Sequence, residues 1–166
     1  SNGRAQATLL PNTAYYLVET KAPAGYVPRR DRIAFTTGND GGKVAIDEQP
    51  GTINLRIVKL DAATNAGPQA GSSLAGAEFT CVSQSTPGWA QILTTDESGR
   101  ATLVDVPLGT FTIYESKAPE GYLPSNDSWT YTVGADQLGD SGVVEIESRV
   151  SDIPIAFDLE ISKFKD

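Results

Sequence analysis

The chain has 166 residues, 39% hydrophobic and 20% charged, with 16 glycines and 10 prolines, a composition that supports a core and favours short strands joined by turns. Thirteen basic against 21 acidic side chains give a net charge of −8, which opposes binding to nucleic acid or an anionic membrane surface, and no apolar run approaches the roughly 20 residues of a membrane span. Histidine is absent and cysteine occurs once, which removes Ser-His-Asp, Cys-His and HExxH chemistry and any internal disulfide.

Taken in chain order, the elements repeat. Gly3–Pro28 lies without a gap on Gly99–Pro124, sharing Gly-Arg-Ala, a proline, a glutamate and Lys-Ala-Pro-x-Gly-Tyr-x-Pro; Pro50–Lys59 lies on Pro154–Lys163 at a slightly larger offset. The unit is therefore about 100 residues long. This phase divides the chain into the back half of one module (1–50), one complete module (51–154) and the first strand of a further or complementing one (155–166). Leu10-Pro11-Asn12-Thr13-Ala14 has the LPxT form of a sorting peptide but aligns with Val106–Thr110 inside the complete unit, and reads as turn and strand. Arg29, Arg30 and Arg32 read as charge protecting an edge strand.

In the complete unit, strands are predicted near 53–60, 76–83, 88–94, 100–105, 109–116, 128–133 and 142–152, with 62–76 as a loop. Seven short strands at this spacing predict an all-β fold of tandem antiparallel sandwiches. Cys81 shares strand parity with Ala77 and Phe79 and reads as a small buried apolar residue. Trp89 and Trp129 read as core or partly covered aromatics.

Strand parity also turns three ionisable groups inward. In INLRIVK, Lys59 shares a face with Ile53, Leu55 and Ile57. In TFTIYE, Glu115 shares a face with Phe111 and Ile113, and on the last strand Asp152 has the parity of Val144, Ile146 and Val150. Buried ionisable groups pair, shift their pKa or react. In an apolar pocket the amine tends towards its neutral, nucleophilic form and the carboxyls towards their protonated form. Lys59 is then placed to attack the Asp152 side-chain carbonyl while Glu115 shuttles protons, giving an intramolecular isopeptide bond. A buried salt bridge without a bond satisfies the same parity.

The segments Ile-Val-Lys-Leu-Asp (57–61), Leu-Ala-Gly-Ala-Glu-Phe (74–79) and Tyr-Glu-Ser-Lys-Ala-Pro-Glu-Gly-Tyr (114–122) resemble a collagen-adhesin B-type (Cna-B) domain, one of the prealbumin-like sandwiches of Gram-positive pilins and surface adhesins. The resemblance implies a first-strand lysine bonded to an Asn or Asp of the last strand, promoted by the glutamate before Ala-Pro-x-Gly-Tyr. Those positions fall on Lys59, Asp152 and Glu115. In the first unit Glu19 matches the promoting glutamate, Glu48 stands at the last-strand position, and the partner lysine is missing. Lys163 matches the lysine position of a following unit, so Lys163 and Glu48 are possible crosslinking residues.

The function implied is structural: a pilin shaft subunit or adhesin stalk of the Gram-positive cell wall or pilus, stabilised by a single self-modification rather than by turnover. Its implied partners are other pilin or adhesin subunits, by strand complementation among other routes. The rival is an adhesin module that recognises a host matrix protein or glycan through loops such as 62–76 or 134–142. No cofactor is expected, and Asp136 and Asp140 lack EF-hand spacing for a metal.

Overall fold

The computed structural model describes residues 3–69, 71–157 and 160–163. Its strands are β1 (Ala14–Leu17), β2 (Ile33–Thr36), β3 (Thr52–Asp61), β4 (Glu78–Ser83), β5 (Ala90–Thr94), β6 (Arg100–Pro107), β7 (Gly109–Lys117), β8 (Tyr122–Leu123), β9 (Ser128–Val133) and β10 (Val143–Pro154). All seven strands expected in the complete unit form. β4 starts two residues later than predicted, and β10 continues to Pro154. Among the described residues no helix is long and apolar enough to cross a membrane.

The complete unit is a sandwich of two four-stranded sheets, ordered β6-β3-β10-β8 and β5-β4-β7-β9. Alternation decides the packing. Ile53, Leu55 and Ile57 of β3, Phe79 and Cys81 of β4, Phe111 and Ile113 of β7 and Val150 of β10 are buried between the sheets. Burial pushes the Cys81 thiol up to about 11, so it stays protonated and unreactive at neutral pH. Trp89 and Trp129 are partly buried against this core.

One ladder departs from the antiparallel rule. β10 runs parallel to β3, from Val143 opposite Thr52 to Asp152 opposite Asp61, without a register break. The first and last strands of the unit therefore lie side by side. β8, read in the sequence only as part of a signature, is a two-residue strand that pairs Tyr122 with Pro154 and covers the other edge of β10.

Loop chemistry sets the ends of the strands. Between β5 and β6 the Asp96 carboxylate accepts the Ser98 and Arg100 N–H groups, and Gly99 takes a φ of +71°. A side chain there would be strained in backbone and would crowd Leu74. Arg29 pairs with Asp31 and Arg30 with Asp140, ahead of β2 rather than on an edge strand.

Residues 3–50 repeat the back half of the sandwich in detail. β1 pairs with β2 in the register of β7 with β9: Ala14 opposite Thr36 matches Thr110 opposite Thr132, and Leu17 opposite Ile33 matches Ile113 opposite Trp129. The stacked rings of Tyr15 and Phe35, 5.8 Å apart, match those of Phe111 and Tyr131 at 5.6 Å. Residues 155–157 and 160–163 carry no strand. Residues 1–2, 158–159 and 164–166 of the two partial units lie outside the described residues.

Candidate functional site

Three strands from both sheets converge on one amine. Lys59, near the end of β3, has its side chain fully shielded from water, as do Glu115 of β7 in the facing sheet and Asp152 of β10 beside it. The Lys59 Nζ lies 2.7 Å from Glu115 Oε1 and against Asp152 Oδ1. Apart from these mutual contacts, Lys59 Nζ, Glu115 Oε1 and both Asp152 oxygens have no hydrogen-bond partner among the described residues. The Phe79 ring, 5.5 Å from Nζ, closes another side of the site and sits opposite Glu115 in the β4–β7 ladder.

The second oxygen of Glu115 is fixed, since Oε2 accepts the Ser125 N–H at 2.8 Å. Burial raises the Glu115 pKa above its ordinary value, opposed by Lys59 and the Ser125 N–H and reinforced by the neighbouring Asp152. A carboxyl whose pKa is raised on folding contributes stability while it is protonated, below about pH 4.5, and loses it as pH rises through the folded value. In Lys59→Met, where no amine meets Glu115, the urea midpoint is therefore expected to fall from pH 4.5 to pH 8 more steeply than in Lys59→Met/Glu115→Gln, which lacks the carboxyl. Parallel pH dependences of the two midpoints would contradict the assignment.

The first unit contains the corresponding carboxyls. Glu19 Oε2 accepts the Arg29 N–H at 2.7 Å, the same hydrogen bond that Glu115 receives from Ser125. Glu48 Oε2 is buried with no hydrogen-bond partner among the described residues, like Asp152 Oδ2. No lysine meets either of them among the described residues, and Lys163 is exposed.

A family model for the SpaA prealbumin-like fold domain matches residues 1–50 and 54–148. The chain belongs to this family. Among solved structures, this prealbumin-like chain is similar to the Bacillus anthracis TIE protein, with 27% identity and a TM-score of 0.67 over 88% of this chain and 26% of that one. The chain thus spans about a quarter of the TIE protein's length. It is also similar to the pilus 2b backbone protein of group B streptococcus, at 20% identity and a TM-score of 0.49 over 91% of this chain and 53% of that one. A variant of the shaft pilin spaA from Lactobacillus rhamnosus GG gives 19% identity and 0.48 over 88% and 64%. No curated protein matches the sequence.

The prealbumin-like sandwich thus brings together Lys59, Glu115 and Asp152, and leaves Glu19, Glu48 and Lys163 apart from any such cluster. Sequence reasoning missed two buried groups beside the site. Asp61 is fully buried, and Tyr122 nearly so, with its hydroxyl donating to Asp61 Oδ2 at 2.9 Å. Asp61 has the same strand parity as Lys59, so the alternation that found one contained the other.

Proposed function

We propose that the chain is a structural segment of a Gram-positive surface protein, a pilin shaft or adhesin stalk, whose complete module (51–154) locks itself with a Lys59–Asp152 isopeptide bond. The carrying observation is the contact of one amine with two carboxyls, all three side chains sealed from water. Burial that disfavours charge on these groups favours the conversion of amine and carboxyl into a neutral amide.

The chemistry balances without a co-reactant. A proton moves from the ammonium to the carboxylate, and the neutral Lys59 Nζ attacks Cγ of the Asp152 carboxylic acid. The N–C bond forms, the C–OH bond breaks, and the amine proton passes through Glu115 to the departing hydroxyl as water. Burial raises the Glu115 pKa, which favours the protonated form that such a relay needs.

The bond would join the first strand of the module to its last. It closes a loop of roughly 93 residues, which the loop-entropy model values at about 4–5 kcal/mol. Pulled at its ends, the module would carry tension through β3, the crosslink and the last few residues of β10, leaving the other strands unloaded. Local opening, and with it proteolysis, would be suppressed. By the same logic residues 1–50 are the back half of a second module, with Glu19 in the promoting role and Glu48 as acceptor for a lysine strand of the Lys163 type.

Intact mass tests the reading. The purified protein is expected to be lighter than its calculated mass by one water, and Lys59→Ala and Glu115→Ala to have their full masses. Full mass in the parent protein overturns the crosslink. A deficit of two waters would extend the mechanism to Glu48 and Lys163.

A further inference from the structure

The end of the sandwich that holds the site contains four buried lysine and carboxyl side chains, Lys59, Asp61, Glu115 and Asp152: one amine against three carboxyls. The crosslinking step uses three of them. The fourth, Asp61, ends β3 and is the pairing partner of Asp152 on β10. Its Oδ2 accepts hydrogen bonds from the Tyr122 hydroxyl at 2.9 Å and from Gln69 Nε2 at 3.2 Å, and its Oδ1 accepts the Ala63 N–H at 2.8 Å. Every contact is a donor, which suits an ionised carboxylate. Although burial opposes it, these hydrogen bonds hold the Asp61 pKa below its ordinary value.

The strand order gives the Tyr122 contact its meaning. β10 lies between β3 and β8, and Tyr122 on β8 pairs with Pro154, two residues beyond Asp152. The hydrogen bond from Tyr122 to Asp61 therefore joins the strands on either side of β10 at the level where β10 carries Asp152. Its backbone neighbour reinforces the closure, with the Ala62 N–H donating to the Asp152 carbonyl at 2.8 Å.

We infer that Asp61 is a positioning residue for the crosslinking reaction: tied to Tyr122 it fixes Asp152 beside Lys59, and its fixed negative charge sets the pH range in which the site reacts. The inference rests on the reading of Lys59, Glu115 and Asp152 given above. A fixed anion on the same face raises the proton affinity of each neighbouring group. The titratable groups around Asp61 are Lys59 on its own strand, Asp152 on β10, Tyr122 on β8 and, beyond Lys59, Glu115 on β7. The loop from 62 to 69 contributes only the Gln69 amide and backbone N–H groups.

The test follows water loss by intact mass after the full chain, isolated unlinked in denaturant, is diluted into native buffers across a pH range. Tryptophan fluorescence monitors folding in parallel. Asp61→Asn, which removes the charge, is expected to fold and to shift the whole rate profile to lower pH by roughly one unit. Asp61→Glu, which keeps the charge, should slow linkage without that shift. Tyr122→Phe should fold yet link roughly ten- to a hundredfold more slowly, because the acceptor is no longer held in an attack geometry. A folded Asp61→Asn with the parent profile, or Tyr122→Phe linking at the parent rate, overturns the inference; if Asp61→Asn does not fold, the Tyr122→Phe rate decides. A parent chain that folds and never loses water overturns the crosslink itself, a distinct result.

Discussion

Lys59→Ala is expected to lower the melting temperature by about 30–40 °C, a change that differential scanning calorimetry reads directly. Two terms add. Loss of the crosslink releases a loop worth about 4–5 kcal/mol. The variant also regains the Asp152 carboxyl, which the linked protein holds as a neutral amide, and leaves it buried beside Glu115 without a counter-ion; an uncompensated buried charge costs about 3–5 kcal/mol. For a unit of this size each kcal/mol moves the midpoint by at least about 4 °C. Asp152→Ala separates the terms, because it abolishes the bond while Lys59 keeps Glu115. It is expected to lose only about half as much. Equal midpoints for the two variants would show that the orphaned carboxyls carry no penalty.

Phe79→Ala carries the next largest effect, a loss of about 3–5 kcal/mol in urea unfolding for truncating a fully buried ring. Its position makes it more than a core deletion. The ring lies 5.5 Å from Lys59 Nζ, and a cavity there admits water beside polar groups able to bind it. A hydrated ammonium is a poorer source of the neutral amine. The variant should therefore be isolated as a mixture of linked and unlinked chains, whereas Phe79→Leu, which keeps most of the volume, should remain linked. Complete and equally fast linkage in Phe79→Ala would show that the ring does not exclude water from the reaction.

The sequence made the inward faces legible wherever a strand is long and unbroken. INLRIVKLD needs only period-two alternation to turn Lys59 inward, and β10 holds its parity from Val144 to Asp152 because no bulge interrupts its ladder with β3. Parity names a face but not a neighbour. It placed Lys59 and Asp152 on inner faces, while the parallel pairing that sets them side by side depends on contacts about 90 residues apart. β8 was invisible for a different reason. Two residues cannot display an alternation, and Tyr122–Leu123 pairs with β10 because a preceding turn, closed by the Tyr122 N–H on the Pro119 carbonyl at 3.2 Å, delivers it there. Asp61 was within reach of the parity argument but lies next to the loop, where an acidic residue reads as an ordinary strand end.

The junction between the units has a geometric consequence. Pro50 closes the first unit by pairing with Tyr26, the Gly51 N–H donates to the Gly25 carbonyl at 2.8 Å, and β3 begins at Thr52. The same hydrogen bond recurs from Ile155 to Gly121 at the far end of the complete unit. One residue thus separates the last paired position of one unit from the first strand of the next. Such a joint contains no coil to act as an entropic spring. Leu138 packs on the Gly51 backbone where a side chain would stand, narrowing its freedom further. Successive units built on this joint would be offset by one nearly constant translation and rotation, so that an array of them would have a pitch, as a screw does, rather than a persistence length set by linkers.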